Sequence, residues 1–139
     1  CIKMSIVNGA YPTVKGVNFE AVTISPAATQ TLANSIAPGV KSVRLAANVT
    51  DVNDFTVLPS LASVQDGHQI TILAGVANSE LRTPATSGEK INGQDSDGTK
   101  EALLTATDVH FLTKIDNTIG WMLEARTAIG AYVTAIIPD

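Results

Sequence analysis

Apolar residues in this chain recur at alternate positions in short runs, and each run stops at a turn-forming residue. Long stretches with helical spacing are nearly absent, so the pattern points to half-buried strands rather than amphipathic helices. The run His68-Gln69-Ile70-Thr71-Ile72-Leu73 places Ile70 and Ile72 on one face, with Gln69 and Thr71 on the other. Val109 to Ile115 repeats the theme, with Val109, Phe111, Thr113 and Ile115 on one side and His110, Leu112 and Lys114 on the other. Val43-Arg44-Leu45 and Phe55-Thr56-Val57-Leu58 each predict a half-buried strand. Trp121-Met122-Leu123 and Tyr132 to Ile137 predict two late ones, the last ending at Pro138, which cannot donate to a sheet ladder.

The breakers between these runs have identifiable chemistry. Asp66-Gly67, Asn92-Gly93 and Asp97-Gly98 favour tight turns that need positive φ. Asn53-Asp54 and Asp116-Asn117 can bond their own backbone. Strand cores spaced by about 10 to 15 residues suit an all-β fold, an antiparallel β-sandwich or a jelly-roll-like domain. Ala27 to Ile36, between Ser25-Pro26 and Pro38-Gly39, predicts at most a short turn of helix, since Thr29, Thr31 and Asn34 are poor helix formers. The glycines and prolines before residue 40 give that segment a looser texture. The expected division is an extended N-terminal arm over 1–40 and a compact domain over 41–139.

With 139 residues, the chain fits one domain with a real core. Charged residues make up only 16% of it, against about 25% in an average soluble domain. Neutral polar side chains and alanine must therefore cover much of the surface, and such a surface is easily desolvated against a partner. A net charge of −4 leaves no basic footprint for nucleic acid. No apolar run reaches the roughly 18–20 residues of a membrane-spanning helix. The one cysteine, Cys1, cannot form an internal disulfide. An opening on Cys rather than Met fits a truncated or incomplete start, and a mature lipoprotein or a self-processed amidohydrolase begins the same way.

No catalytic constellation emerges. His68 and His110 lie far apart in sequence, without metal-ligand spacing, and both fall on the polar side of their strands, where a solvated or hydrogen-bonded histidine is expected. No serine sits in a Gly-x-Ser-x-Gly elbow. Asp95-Ser96-Asp97-Gly98 followed by Glu101 looks like the start of a calcium loop, but Gly98 comes too early and Glu101 is misplaced, so a solvent-facing turn is expected. Glu80, Arg82, Glu89 and Lys90 predict an exposed charge mosaic of little energetic weight. Around Gly75, residues Ala74 to Asn78 lack the glycine density of a phosphate cradle. Asn48-Val49-Thr50 matches a glycosylation pattern that is common by chance. Trp121 is expected as a core or interface anchor, with a sugar-stacking platform as its functional alternative. The expectation is a non-enzyme with no catalytic, cofactor or metal residues.

Five short patterns occur in order over residues 43–125: Phe55-Thr56-Val57-Leu58-Pro59-Ser60, Gly67-His68-Gln69-Ile70-Thr71-Ile72, Glu89-Lys90-Ile91-Asn92-Gly93, Val109-His110-Phe111-Leu112, and Gly120-Trp121. Together they resemble a recurrent β-domain of tailed-bacteriophage fibre and head-decoration proteins. The resemblance implies a virion protein on the capsid surface, commonly homotrimeric and contacting the major capsid protein or another virion protein. Tail-fibre members of that family are longer and carry repeated shaft segments, which this chain lacks. Its size looks like a head decoration or short head-fibre protein, with the arm as the capsid-attachment element. The alternatives are a receptor- or glycan-binding fibre tip, reading a host surface glycan through loops around Asp95–Lys100 or Ala74–Asn78, and a lipid-anchored bacterial β-domain suggested by Cys1.

Overall fold

The computed structural model describes residues 21–46, 51–75, 77–98 and 100–139. Cys1 and the Asn48-Val49-Thr50 pattern lie outside the described residues. Among the described residues there are ten strands: β1 Val22–Ile24, β2 Ser42–Leu45, β3 Phe55–Val57, β4 Gln69–Leu73, β5 Ser79–Arg82, β6 Lys90–Ile91, β7 Gln94–Asp95, β8 Ala102–Leu104, β9 Val109–Asp116 and β10 Gly120–Arg126. They form a seven-stranded sheet in the order β1-β2-β4-β9-β10-β6-β7 and a three-stranded sheet in the order β3-β5-β8. Among the described residues the only helical element is a 3-10 turn at Leu61–Ser63.

The expected all-β class holds, but a wholly antiparallel pattern does not. β1 with β2, β2 with β4, β3 with β5, and β6 with β10 all pair parallel. Parallel neighbours need a long crossover. Here the crossovers from β1 to β2 and from β2 to β4 are excursions to the small sheet. The chain between β1 and β2 touches β3 on the way, through bridges Ala27 to Phe55 and Ser35 to Val57, and the chain between β2 and β4 forms β3 itself. Residues 21–40, assigned by the expected division to the arm, thus contribute β1, Ile24 and Ile36 to the sheet and core. The segment Ala27 to Ile36 forms bends, bridges and a single hydrogen-bonded turn, Ser35 N–H to the Leu32 carbonyl, with no helix. Asn34 is fully buried there, donating from Nδ2 to the carbonyls of Phe55 and Thr29.

One hydrophobic core joins both sheets. The large sheet supplies Val43, Leu45, Ile70, Ile72, Ile91, Leu112, Trp121 and Leu123, and the small sheet supplies Leu81, Ala102 and Leu104. Ile70 and Ile72 face inward as the alternation predicts. On β9 the predicted faces are reversed: His110, Leu112 and Lys114 are buried, while Val109, Phe111, Thr113 and Ile115 are half-exposed. Register explains the reversal. Ile70 pairs with Leu112 and Ile72 with His110, so an inward β4 forces those β9 residues inward as well.

Three further differences concern element type. The Tyr132 to Ile137 run makes an isolated bridge from Tyr132 to Arg126 and otherwise lies extended without a ladder. β3 is buried along its whole length rather than half-buried. Glu80 and Arg82 belong to β5 instead of an open mosaic: the Arg82 guanidinium lies 3.9 Å above the Phe55 ring and donates to Glu80 (3.0 Å) and Glu101 (3.1 Å). The turn predictions hold at Gly67, Asn92-Gly93 and Gly98, all at positive φ. Asp116 likewise closes the β9–β10 hairpin by accepting the N–H groups of Thr118 and Ile119.

Candidate interaction surface

Residues paired across a sheet share a face, so the register lays out the outer surface of the large sheet directly. One row runs Thr23, Arg44, Leu73, Val109 and Arg126; the next runs Ser42, Thr71, Phe111 and Glu124; a third runs Gln69, Thr113 and Met122. Ile115 continues the same face of β9. The result is an apolar and threonine-rich field with charge confined to Arg44, Glu124 and Arg126. Met122, on β10, is half-exposed, and Leu73, Val109, Phe111 and Ile115 are partly accessible.

The edge of β10 borders this field. β6 pairs with it at Trp121, and beyond that point the ladder gives way to a side chain. Asn92 sits in the β6–β7 turn at φ 48°, and its carboxamide accepts the Leu123 N–H and donates to the Leu123 carbonyl, both at 2.8 Å. Its Nδ2 also donates to the Ile136 carbonyl at 2.8 Å. The chain after β10 therefore returns along this edge as a strap. Val133 donates to the Ala125 carbonyl (3.1 Å), Pro138 is buried, and Asp139 exchanges backbone bonds with Glu101. The Arg126 guanidinium stacks on the Tyr132 ring at 4.0 Å. A groove of about 320 Å³ lies between Met122, Glu124, Tyr132 and Ile137. In the sequence Asn92 signals a turn, and its second role as a sheet-edge substitute carries no sequence signature.

The histidines do not meet. His68 stands edge-on to Trp121, with ring centroids 6.4 Å apart. Burial, together with the charge of Lys41, lowers its pKa, while the Val40 backbone opposes the shift. His110 is 0% exposed between Ile72 and Ala125, and among the described residues neither ring nitrogen has a partner in hydrogen-bonding geometry. Burial lowers its pKa, against weaker pulls from the Ile72 and Asp108 carbonyls and the Asp108 charge. The expectation that both lie on polar faces is corrected for both: His110 is a core residue, and the partly buried His68 shares the inward face of Ile70 and Ile72 and packs against Trp121. Trp121 is a core anchor, 1% exposed, so its ring offers no open sugar platform.

Two charged side chains, buried Lys114 and partly buried Glu89, organise the 3-10 turn instead. Glu89 Oε1 accepts the Leu61 N–H at 3.0 Å. The Lys114 ammonium, 3% exposed as a residue, donates to the carbonyls of Leu61 (2.7 Å) and Val64 (2.8 Å) and meets Asp66 at 3.1 Å. Burial raises the Glu89 pKa, with the Leu61 N–H and the Lys114 charge acting the other way. Glu89 is thus no part of an exposed mosaic. Its role is to hold a turn beneath the core.

The carboxylates of the calcium-like stretch are engaged by protein groups. Asp95 pairs with Lys90, Asp97 accepts the Gly88 N–H at 2.9 Å, and Glu101 pairs with Arg82. Burial raises the Glu101 pKa, opposed first by Arg82. Among the described residues no group of three or more His, Cys, Asp or Glu side chains converges on a metal-sized site. In comparison with known proteins, no family model matches the chain and no curated protein matches it.

Proposed function

We propose that this protein is a virion structural protein, a capsid decoration or short head-fibre protein that attaches to the head of a tailed bacteriophage. In this reading the two sheets face one another as a β-sandwich displayed as a homotrimer, and the protein works by surface complementarity without catalysis. The observation that carries the reading is the outer face of the large sheet, where Leu73, Val109, Phe111, Ile115 and Met122 lie among threonines with charge only at the rim. Desolvating such a face strips few ions of water, so its apolar area contributes to association at about 25 cal/mol per Å² before entropic losses. A repeated shell multiplies that contribution through avidity.

The test is co-sedimentation with purified phage heads that lack the protein. Saturable binding, weakened about tenfold or more by Phe111→Glu, is the expected result. Absence of head binding, with attachment to host cells or glycans instead, would replace this reading with that of a receptor-binding tip.

A further inference from the structure

We propose that the C-terminal strap, residues 132–139, exchanges between copies of this chain, so that the β10 edge of one copy is covered by the strap of another. The occupant of the edge is on view in the structure, because the chain's own strap sits there. Each attachment is to a group fixed in the body: the Ala125 carbonyl receives Val133, Asn92 Nδ2 reaches the Ile136 carbonyl, and the Glu101 backbone pairs with Asp139. Ile136 packs against the core, and Pro138 is buried. A strap arriving from a second copy would meet the same groups in the same geometry, so exchange leaves these contacts unchanged.

What differs between the closed and exchanged forms is the turn. Residues 127–131 fold back through Thr127 N–H to the Ala131 carbonyl, Gly130 N–H to the Thr127 carbonyl, and Ala131 N–H to Thr127 Oγ1, with Gly130 at φ 86°. This closure leaves Ile129 92% exposed and Tyr132 74% exposed. In an exchanged assembly the turn opens and linkers from two copies run side by side, covering these residues against each other. Hydrophobic burial then favours the assembly at the one place where the two forms differ. The inference does not depend on the virion reading, since it requires nothing but copies of the chain.

The test places a disulfide across the strap. Glu101 and Asp139 exchange two backbone hydrogen bonds at the far end of the strap, so the combination Glu101→Cys, Asp139→Cys and Cys1→Ser leaves two facing thiols and no other while keeping Ile129 and Tyr132. Isotope-labelled and unlabelled copies are mixed, concentrated, oxidised and run on a denaturing gel without reductant. Exchange predicts covalent species larger than one chain, with mixed-label links between positions 101 and 139 found by mass spectrometry. Links confined within single chains would overturn the proposal. A second variant lacking Ile129 and Gly130 has too short a turn to seat its own strap. Light scattering should then report a folded oligomer at concentrations where wild type dissociates, and a folded monomer would likewise overturn the exchange.

Discussion

The Asn92 carboxamide and the Leu123 backbone exchange two hydrogen bonds, each 2.8 Å long, as neighbouring strand residues would. One side chain thereby extends the large sheet past the point where β6 ends, and its third bond ties down the strap at Ile136. The Ile91-Asn92-Gly93 pattern is therefore more than a turn. It joins the turn, the β10 edge and the strap.

Asn92→Asp tests that junction with little change in shape. The donor to two carbonyls becomes an acceptor, so the Leu123 and Ile136 oxygens lose their partner and face a carboxylate. Each unsatisfied, largely buried group costs about 1–3 kcal/mol, and the expected loss of unfolding free energy is about 3 kcal/mol. Urea denaturation measures it. Hydrogen exchange at the Val133 amide should accelerate in the variant more than exchange at Ile72 in β4.

Gly120 makes a second junction legible. It has φ 84°, and a Cβ on it would lie 2.4 Å from the Lys90 carbonyl oxygen, backbone that cannot rotate away. Gly120→Ala is expected to remove about 3 kcal/mol or more, through strain and a forced separation of β6 from β10. Gly67 also has positive φ, at 85°, but open space surrounds it. Gly67→Ala should cost only the conformational penalty, about 1–2 kcal/mol. Similar losses in the two variants would refute the close-approach explanation.

Local pattern carried much of this fold but could not carry parity where both faces of a strand hold apolar groups. β4 was readable because Gln69 and Thr71 contrast with Ile70 and Ile72. In β9 the outward set is the more apolar one, and only pairing with β4 turns His110 and Lys114 inward. Strands β6 and β7 are too short to show a period. β5 reads as charge because Glu80 and Arg82 alternate with Ser79 and Leu81, and their partner Glu101 is distant in sequence. At the other end, Tyr132 to Ile137 has strand composition, yet β6 and the Asn92 side chain already occupy much of the β10 edge. The outer apolar field was hidden for the same reason as the β9 parity, since its rows exist only once the register is known.

Lys114 supplies a prediction about buried charge. Its ammonium closes the carbonyl end of the 61–64 turn while Glu89 closes the N–H end. Lys114→Met keeps the aliphatic stem but removes the ammonium from the Val64 carbonyl, leaves the Leu61 carbonyl with only the Val64 N–H, and deprives Glu89 of its nearby counter-charge. The expected loss is about 3 kcal/mol at neutral pH. Adding Glu89→Gln should recover part of that loss, because the uncompensated charge is gone. A double variant no better than Lys114→Met would show that the two charges act independently.

His110 predicts how stability changes with acidity. Burial holds its folded-state pKa below the ordinary value of about 6.5, which the unfolded chain recovers. Below that value the unfolded state binds more protons, so the contribution of neutral His110 is complete above it and declines as pH falls towards the folded-state pKa. His68, lowered by burial and by Lys41, acts in the same direction. Glu89 acts in the opposite one, since burial raises its pKa and protonation in acid relieves a buried charge. His110→Leu removes one contribution and keeps the others, including the Asp108 charge that faces the ring. Urea midpoints measured from about pH 7 to about pH 5 should therefore fall more steeply for wild type than for the variant. If the two profiles run parallel, the imidazole is not taking up a proton on unfolding, and the core position of His110 would have no role in acid sensitivity.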